Sequence, residues 1–261
     1  MQPSGAVQSA IRESDQALCR QIAEWEPLEF GVAHYAPQFA TLPAANQLRD
    51  AWLAKVDGDE AYRRAEDFYR ARGLTCWLWT PAAAQPTEPL EALLSPMGWR
   101  RIDATVMGLA HWDAATPAPD PGIRILPARA MHRAYQESFI AEAAERGERH
   151  EEIVEAALQR LDDANYDAFV AVADHQPLGR MGYHEVGDMA RLADLFLLPA
   201  HRRRGVGGEL VRHFLRLARR LSPRVVAATV EPGNDAARAL LEKFGFAAAG
   251  TQTEFRRPRG G

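Results

Sequence analysis

The sequence predicts a mixed α/β fold (α+β, mixed sheet), built as two domains in tandem, each a central mixed β-sheet flanked by helices. Three observations lead there. The 261 residues suffice for two domains of ordinary size. The stretch "AATPAPDPG" (114–122) holds three prolines and a glycine. It can continue neither a helix nor a central strand, so it reads as the linker between a domain over 1–118 and one over 119–261. Finally, "LLSPMGW" (93–99) and "LLEKFGF" (240–246) share the pattern Leu-Leu-x-x-x-Gly-aromatic. Each follows a strand and a loop and precedes a strand, a faint internal repeat.

In the first half, "DGDEAYRRAEDFYRARGL" (57–74) sets Tyr62, Ala65, Phe68 and Tyr69 at helical spacing. "TCWLWT" (75–80) reads as a strand, "LEALLSPMGW" (90–99) as a helix ending at a glycine, and "RRIDATVMGLAHW" (100–112) as a strand. The second half opens with a strand in "GIRILPA" (122–128). Two helices follow, in "MHRAYQESFIAEAAERG" and "HEEIVEAALQRLDD". "DAFVAVAD" (167–174) and "LGRMGYHEVGD" (178–188) form a hairpin about His175-Gln176-Pro177. "ARLADLFLL" (190–198) is nearly all apolar, as a strand buried on both faces requires, and stops at Pro199. A helix then carries Val206, Leu210, Val211, Phe214, Leu217, Ala218 and Leu221 on one stripe. "RVVAATV" (224–230) is a buried strand. "NDAARALLEKFGF" is a helix with Asn234 as N-cap and Gly245 beyond its end, and "AAAGTQTEFRR" is the last strand.

Composition narrows the function. A net charge of −4 excludes a strongly basic nucleic-acid binder. No apolar run is long enough to span a bilayer, and the first residues show no signal pattern. Cys19 and Cys76, the only cysteines, lack metal-ligand spacing and read as reduced residues of a cytoplasmic protein. No metal is expected. The two halves differ in charge: residues 1–120 carry 10 basic and 16 acidic side chains, the remainder 21 and 19. The acidic first half hints at a cationic acceptor, although surface charge also serves solubility alone.

One stretch demands an explanation: "HRRRGVGGEL" (201–210) places three arginines and three glycines between a buried strand and a helix. A helix N-terminus offers free N–H groups and the positive end of its dipole. Glycines let a ligand approach the backbone, and arginines add charge-assisted hydrogen bonds. The nucleotide P-loop is excluded, because Gly208 is followed by Glu209 and Leu210. The dinucleotide fingerprint fails at Leu210, where a third glycine is needed. What fits is R-x-x-G-x-G over Arg202-Arg203-Arg204-Gly205-Val206-Gly207. The bland alternative is a solvated turn and a helix start.

With "ADLFLLP" before this loop and "VEPGNDAARALLEKFGF" after it, residues 122–256 resemble the GNAT superfamily of acyl-CoA-dependent N-acyltransferases. The resemblance implies two GNAT-like domains in tandem, the first degenerate and lacking the coenzyme loop. It implies that the amides of Arg202, Arg203, Arg204, Gly205, Val206, Gly207 and Gly208 hold the pyrophosphate of acetyl-CoA. It also implies that the backbone of Leu195, Phe196 and Leu197 runs beside the pantetheine and acyl group, and that Asn234 positions the coenzyme across splayed strands. Asn234 is equally explained as a helix cap.

The activity implied is transfer of an acetyl group from acetyl-CoA to a primary amine by direct attack. The acceptor would be a small molecule or peptide, with no nucleic acid or membrane involved; a homodimer is among the open oligomeric states. Two positions where the family often carries catalytic groups are Leu241, in place of tyrosine, and Thr229, in place of glutamate. These support the alternative of an acyl-CoA-binding sensor that has lost catalysis.

Replacement groups are few. Asp194 is the only acid in its apolar strand. It is a base if burial raises its pKa, or a structural acceptor. Tyr183 and Glu185 share one face of the preceding strand with Met181, while His184 points the other way. Tyr183 is a candidate proton donor or a packing residue, and Glu185 a candidate base. Glu231 ends a strand at a loop, where it could meet an amine.

Overall fold

The computed structural model describes residues 4–54, 56–83, 85–112 and 120–258. Most of the proline-rich linker, 113–119, lies outside the described residues. Two compact units are present. One comprises Met1–Ser14 and Thr105–Gly250, the other Asp15–Ala104 and Thr251–Gly261. Packing therefore groups the chain differently from a single cut at 118, and strand pairing supplies the reason.

In the first of these units the strands are β5 (Arg100–Leu109), β6 (Arg124–Pro127), β7 (Tyr166–Ala173), β8 (Gln176–Val186), β9 (Met189–Leu197) and β10 (Val225–Val230). Their order across the sheet is β5-β10-β9-β8-β7-β6. Only β9 and β10 run parallel; the other neighbours are antiparallel. Strand β5 comes from the first half of the chain, yet its Thr105–Gly108 pair with Ala227–Val230 of β10. This draws residues from before the linker into the unit. The helices are α4 (His132–Arg146), α5 (Glu151–Arg160), α6 (Val206–Leu221) and α7 (Asp235–Lys243).

Helix α6 buries Val206, Leu210, Val211, Phe214 and Ala218 against Met181, Tyr183, Ala190, Leu192, Val226 and Ala228 of the sheet. Full burial of each large apolar side chain is worth about 1.5–3 kcal/mol. On the opposite face, Val7 and Ile11 of α1 (Ser4–Arg20) pack on Val106, Met189 and Ala227.

The second unit holds β1 (Glu24–Leu28), β2 (Gly31–Tyr35), β3 (Gln47–Ala51), β4 (Leu78–Pro81) and the end of β11 (Phe246–Arg256), in that order. Strands β3 and β4 are parallel, and β4 pairs antiparallel with β11 through Trp79↔Phe255. Helices α2 (Gly58–Arg70) and α3 (Glu88–Leu94) belong here. Its core is aromatic: Trp79 contacts Phe30, Tyr62 and Trp99.

The predicted elements are present in order, and the Leu-Leu-x-x-x-Gly-aromatic repeat takes one shape twice. Both Gly98 (φ +82°) and Gly245 (φ +86°) are left-handed residues that stop a helix and start a strand. Four elements fall outside the expectation: α1, β1, β2 and β3. Strand β1 contains Pro27 and lies at the end of the sheet order, where a missing N–H does no harm.

Candidate active site

The site is built from a defect in strand β9. Its register with β8 runs Gly182↔Ala193 and then Arg180↔Phe196, so three steps on β9 oppose two on β8. This is a β-bulge, and Asp194 occupies its left-handed position at φ +49°. The parallel pairing of β9 with β10 ends just before it, at Leu192↔Ala228. Beyond that point β10 continues along β5 through Thr229↔Val106 and Val230↔Thr105. Among the described residues no pairing joins the outer part of β9 to β10 again, so the two strands form a fork.

The fork leaves backbone donors available. The Leu198 amide donates to the Leu178 carbonyl at 3.0 Å. Strand alternation then turns the Phe196 amide toward β8 and the amides of Leu195 and Leu197 toward the side that β10 has left.

Helix α6 begins next to the end of β9. Its N-cap is Gly205 at φ +83°, with no side chain capping the helix. A Cβ there would meet nothing within 4 Å, so the glycine serves the backbone conformation and leaves open space above it. The first backbone bond at this end runs from Glu209 N to Gly205 O, 3.2 Å. The amides of Val206, Gly207 and Gly208 therefore have no acceptor within the helix. Glu209, in the first turn, does not oppose an anion freely: it is buried, lies 2.6 Å from Arg212, and accepts the Asp120 amide.

The arginines divide. Arg203 and Arg204 are exposed beside the bare amides, Arg203 itself left-handed at φ +62°. Arg202 is committed elsewhere, to both carboxylate oxygens of Glu145, the Leu197 carbonyl and the Phe196 ring. Its guanidinium holds the Glu145 carboxyl below the ordinary carboxylate range. Gly207 has a packing role, because a Cβ there would lie 2.9 Å from Leu240 Cδ2 and 3.3 Å from Leu197 Cδ1. Gly208 has room, with the Phe244 ring 3.6 Å away.

Asn234 caps α7, its Oδ1 accepting the Ala237 amide at 3.1 Å. Glu231 follows the last residue of β10, exposed in the turn that Asn234 N closes onto its carbonyl. Leu241 is buried in the core beside α6, so its side chain does not look into the fork.

The structure places the remaining candidates. Burial does push the Asp194 carboxyl upward, but Arg160, Arg180 and Arg191 and the bond from Tyr166 outweigh it and hold the group below its ordinary value. Asp194 accepts the Tyr166 hydroxyl at 2.5 Å, with Arg160 at 4.0 Å. The hydrogen bond matches the acceptor role, one of the two alternatives. Tyr183 and Glu185 are not at the fork: they line a cavity of about 180 Å³ with Asn165, Asp167, Leu217 and Leu221. Those leucines lie about 16 Å or more along α6 from Val206. Burial, with Glu185 and Asp167 nearby, pushes the Tyr183 hydroxyl up to about 12. The four catalytic candidates are thus separated, with Asp194 and Glu231 on the two arms of the fork and Tyr183 and Glu185 at the far end of α6.

Residues outside those candidates complete the site. Arg180, 1 % exposed, binds the Ser138 carbonyl at 3.0 Å, pairs with Glu142 and stacks on Phe139. An arginine between Gly179 and Met181, in the apolar middle of the strand, was the available signal. Tyr166 carried none, because its partner is 28 residues away.

The second unit repeats the bulge and closes the fork. Asp50 has φ +51°, two residues after buried Leu48, as Asp194 follows Leu192. Here β3 rejoins β4 past the bulge at Ala51↔Pro81, with a 3.0 Å bond from Ala82 N to Ala51 O. The following helix, α2, is capped by Asp57 on the Glu60 amide and carries Asp59 and Glu60 in its first turn. Its own carboxylates occupy the positive end of the dipole.

Among the described residues, no group of His, Cys, Asp or Glu is placed to hold a metal ion. No helix is long and apolar enough to cross a membrane.

Comparison with known proteins places this geometry. Residues 128–246 match the model of the acetyltransferase (GNAT) family. Among solved structures, the chain is similar to a GCN5-related N-acetyltransferase from Kribbella flavida, at TM-score 0.66 and 16 % identity, covering 100 % of this chain and 97 % of that one. It is similar to a tandem GNAT protein from the clavulanic acid biosynthesis pathway, at TM-score 0.57 and 17 % identity, covering 88 % and 80 %. A functionally unknown conserved protein from Staphylococcus epidermidis gives TM-score 0.65 at 13 % identity, covering 89 % and 93 %. At these identities the likeness is one of fold. A comparison with curated proteins finds no match.

Proposed function

Residues 128–246 match the model of the acetyltransferase (GNAT) family, and from that premise we propose that the protein transfers an acetyl group from acetyl-CoA directly to a primary amine of a small molecule or peptide. The observation that carries the reading is the open fork beside an uncapped helix N-terminus, set against the closed and carboxylate-capped counterpart in the other unit.

In this reading the amides of Gly205, Val206, Gly207 and Gly208, with Arg203 and Arg204, bind the pyrophosphate. The Leu195 and Leu197 amides bind the pantetheine and stabilise the oxyanion as the amine attacks the thioester carbon. Phe196 and Arg202 shape that wall, and Asn234 fixes the opposite rim by capping α7. Glu231, on the β10 arm, takes the ammonium proton through water, because only the free amine is a nucleophile. The C–S bond then breaks, the second nitrogen proton passes through water to the departing thiolate, and the thiolate is a good enough leaving group to depart without a tyrosine at position 241. The segment 119–261 is the coenzyme-binding module and 1–118 its degenerate counterpart. Both cysteines are buried free thiols, which fits a reducing, cytoplasmic setting.

The test is a calorimetric titration of desulfo-CoA into the wild type and into the Arg203→Glu/Arg204→Glu double variant. Saturable binding that weakens by about tenfold or more, roughly 1.4 kcal/mol, supports the cradle. Free-thiol release from acetyl-CoA with a panel of amines then identifies the acceptor. Absence of wild-type binding at millimolar coenzyme overturns the reading. Binding without thiol release across the panel removes catalysis and leaves a sensor.

A further inference from the structure

A left-handed aspartate in a strand needs something to hold it, and here the holding side chain comes from two strands away. Tyr166 is fully buried on β7 and pairs with His184 of β8. Its side chain passes over Gly182 to reach Asp194 on β9 at 2.5 Å. Gly182 is the residue that permits this crossing. A Cβ there would overlap the Tyr166 hydroxyl oxygen and lie 2.9 Å from its Cζ. Gly182 also faces Ala193, immediately before the bulge. Arg160, at the end of α5, approaches the same carboxylate oxygen at 4.0 Å. The second unit shows the same need met otherwise: Asp50 takes a hydrogen bond from Gln16, and its amide donates to Thr80 Oγ1 at 3.3 Å.

We propose that Tyr166, reaching across Gly182 to Asp194, is a latch that fixes the β9 bulge, and that both residues position the Leu195 and Leu197 amides without exchanging a proton with substrate. As a statement about catalysis this rests on the acyltransferase reading; as a statement about the strand it does not. The latch holds one register of β9 against slippage, and a slip would turn the donor amides away from the fork. Asp194 serves as an anchor because its carboxylate accepts the phenol and because aspartate tolerates the left-handed conformation. Asparagine meets both conditions and alanine neither.

The variants are Tyr166→Phe, Gly182→Ala, Asp194→Asn and Asp194→Ala, each checked for a cooperative melt. Amide exchange is read in the ligand-free protein at Phe196 and Leu198, which face β8. Tyr166→Phe removes one oxygen from a bond to a charged group, so exchange there should accelerate about tenfold or more. Gly182→Ala should do the same by displacing the ring, and Asp194→Asn should stay near wild type. In turnover, Asp194→Asn should keep its rate and the acidic limb of its pH profile, while Asp194→Ala and Tyr166→Phe lose rate without a shift of that limb. Unchanged exchange in Tyr166→Phe overturns the latch. So does an Asp194→Asn variant as inactive as Asp194→Ala, which would make the carboxylate a base. Failure of desulfo-CoA to bind the wild type would overturn the acyltransferase reading and leave the exchange result standing on its own.

Discussion

Acid should unfold this protein partly through one buried histidine. His184 is 1 % exposed on β8, and its Nδ1 lies 2.8 Å from Ser14 Oγ. Arg191 donates to the same oxygen at 3.2 Å, so the serine proton is directed at His184 Nδ1, which leaves the ring neutral with its proton on Nε2. Burial first, and then Arg191, lower the imidazole pKa from 6.5 to about 4. The unfolded chain therefore binds a proton near pH 6.5 that the folded chain refuses until about pH 4. The contribution to stability is complete above pH 6.5 and is lost as the pH falls through that window.

Integrated to pH 5, the loss is about 2 kcal/mol, approaching about 3 kcal/mol below pH 4. The assay is urea unfolding followed by far-ultraviolet circular dichroism at pH 7.5 and pH 5.0, for the wild type and His184→Gln. Glutamine retains an acceptor for Ser14 but does not titrate. His34, buried in the other unit and lowered to about 3 by burial, Arg49 and Arg20, adds its own acid sensitivity. That part is common to both proteins and cancels in the difference. The variant should be less sensitive to the pH change by about 2 kcal/mol. An identical loss in wild type and variant would refute the placement of a neutral His184 in the core.

Other perturbations probe the site. Glu231→Gln should lower kcat/KM for thiol release by about a hundredfold while leaving desulfo-CoA affinity unchanged, and an undiminished rate removes Glu231 from proton transfer. Gly207→Ala should be less stable than Gly208→Ala by about 1 kcal/mol, because its Cβ would press on Leu240 at 2.9 Å. Its neighbour is the control: Gly208→Ala meets Phe244 only at 3.6 Å and should be neutral or stabilising by about 0.5–1 kcal/mol, as read from paired melting curves.

Helical periodicity was enough to place α2, α6 and α7, whose apolar residues recur at helical spacing, and α6 turns its stripe onto the sheet. Gly205, Gly98 and Gly245 were legible as turn residues for the same kind of local reason, since a left-handed backbone favours glycine whatever surrounds it. The arginines before Gly205 also stood out, but their division did not. Only the position of α4 assigns Arg202 to Glu145 and leaves Arg203 and Arg204 exposed. Asp194 was visible as a lone acid in an apolar strand, yet the direction of its pKa depends on Arg160, Arg180 and Tyr166, which approach from other elements.

The sequence by itself determined the alternation of helices and strands, the glycine turns and the resemblance to the family whose model residues 128–246 match, because these depend on periods and spacings within a short window. Tertiary structure alone decided which strands pair, that β5 serves β10 and β11 serves β4, and that β9 leaves β10 after Leu192. It also decided that Tyr183 and Glu185 lie away from the fork and that Tyr166 holds Asp194. The physical reason is that register and a bulge are properties of two strands together, and a buried carboxylate takes its chemistry from whatever charge the fold brings beside it.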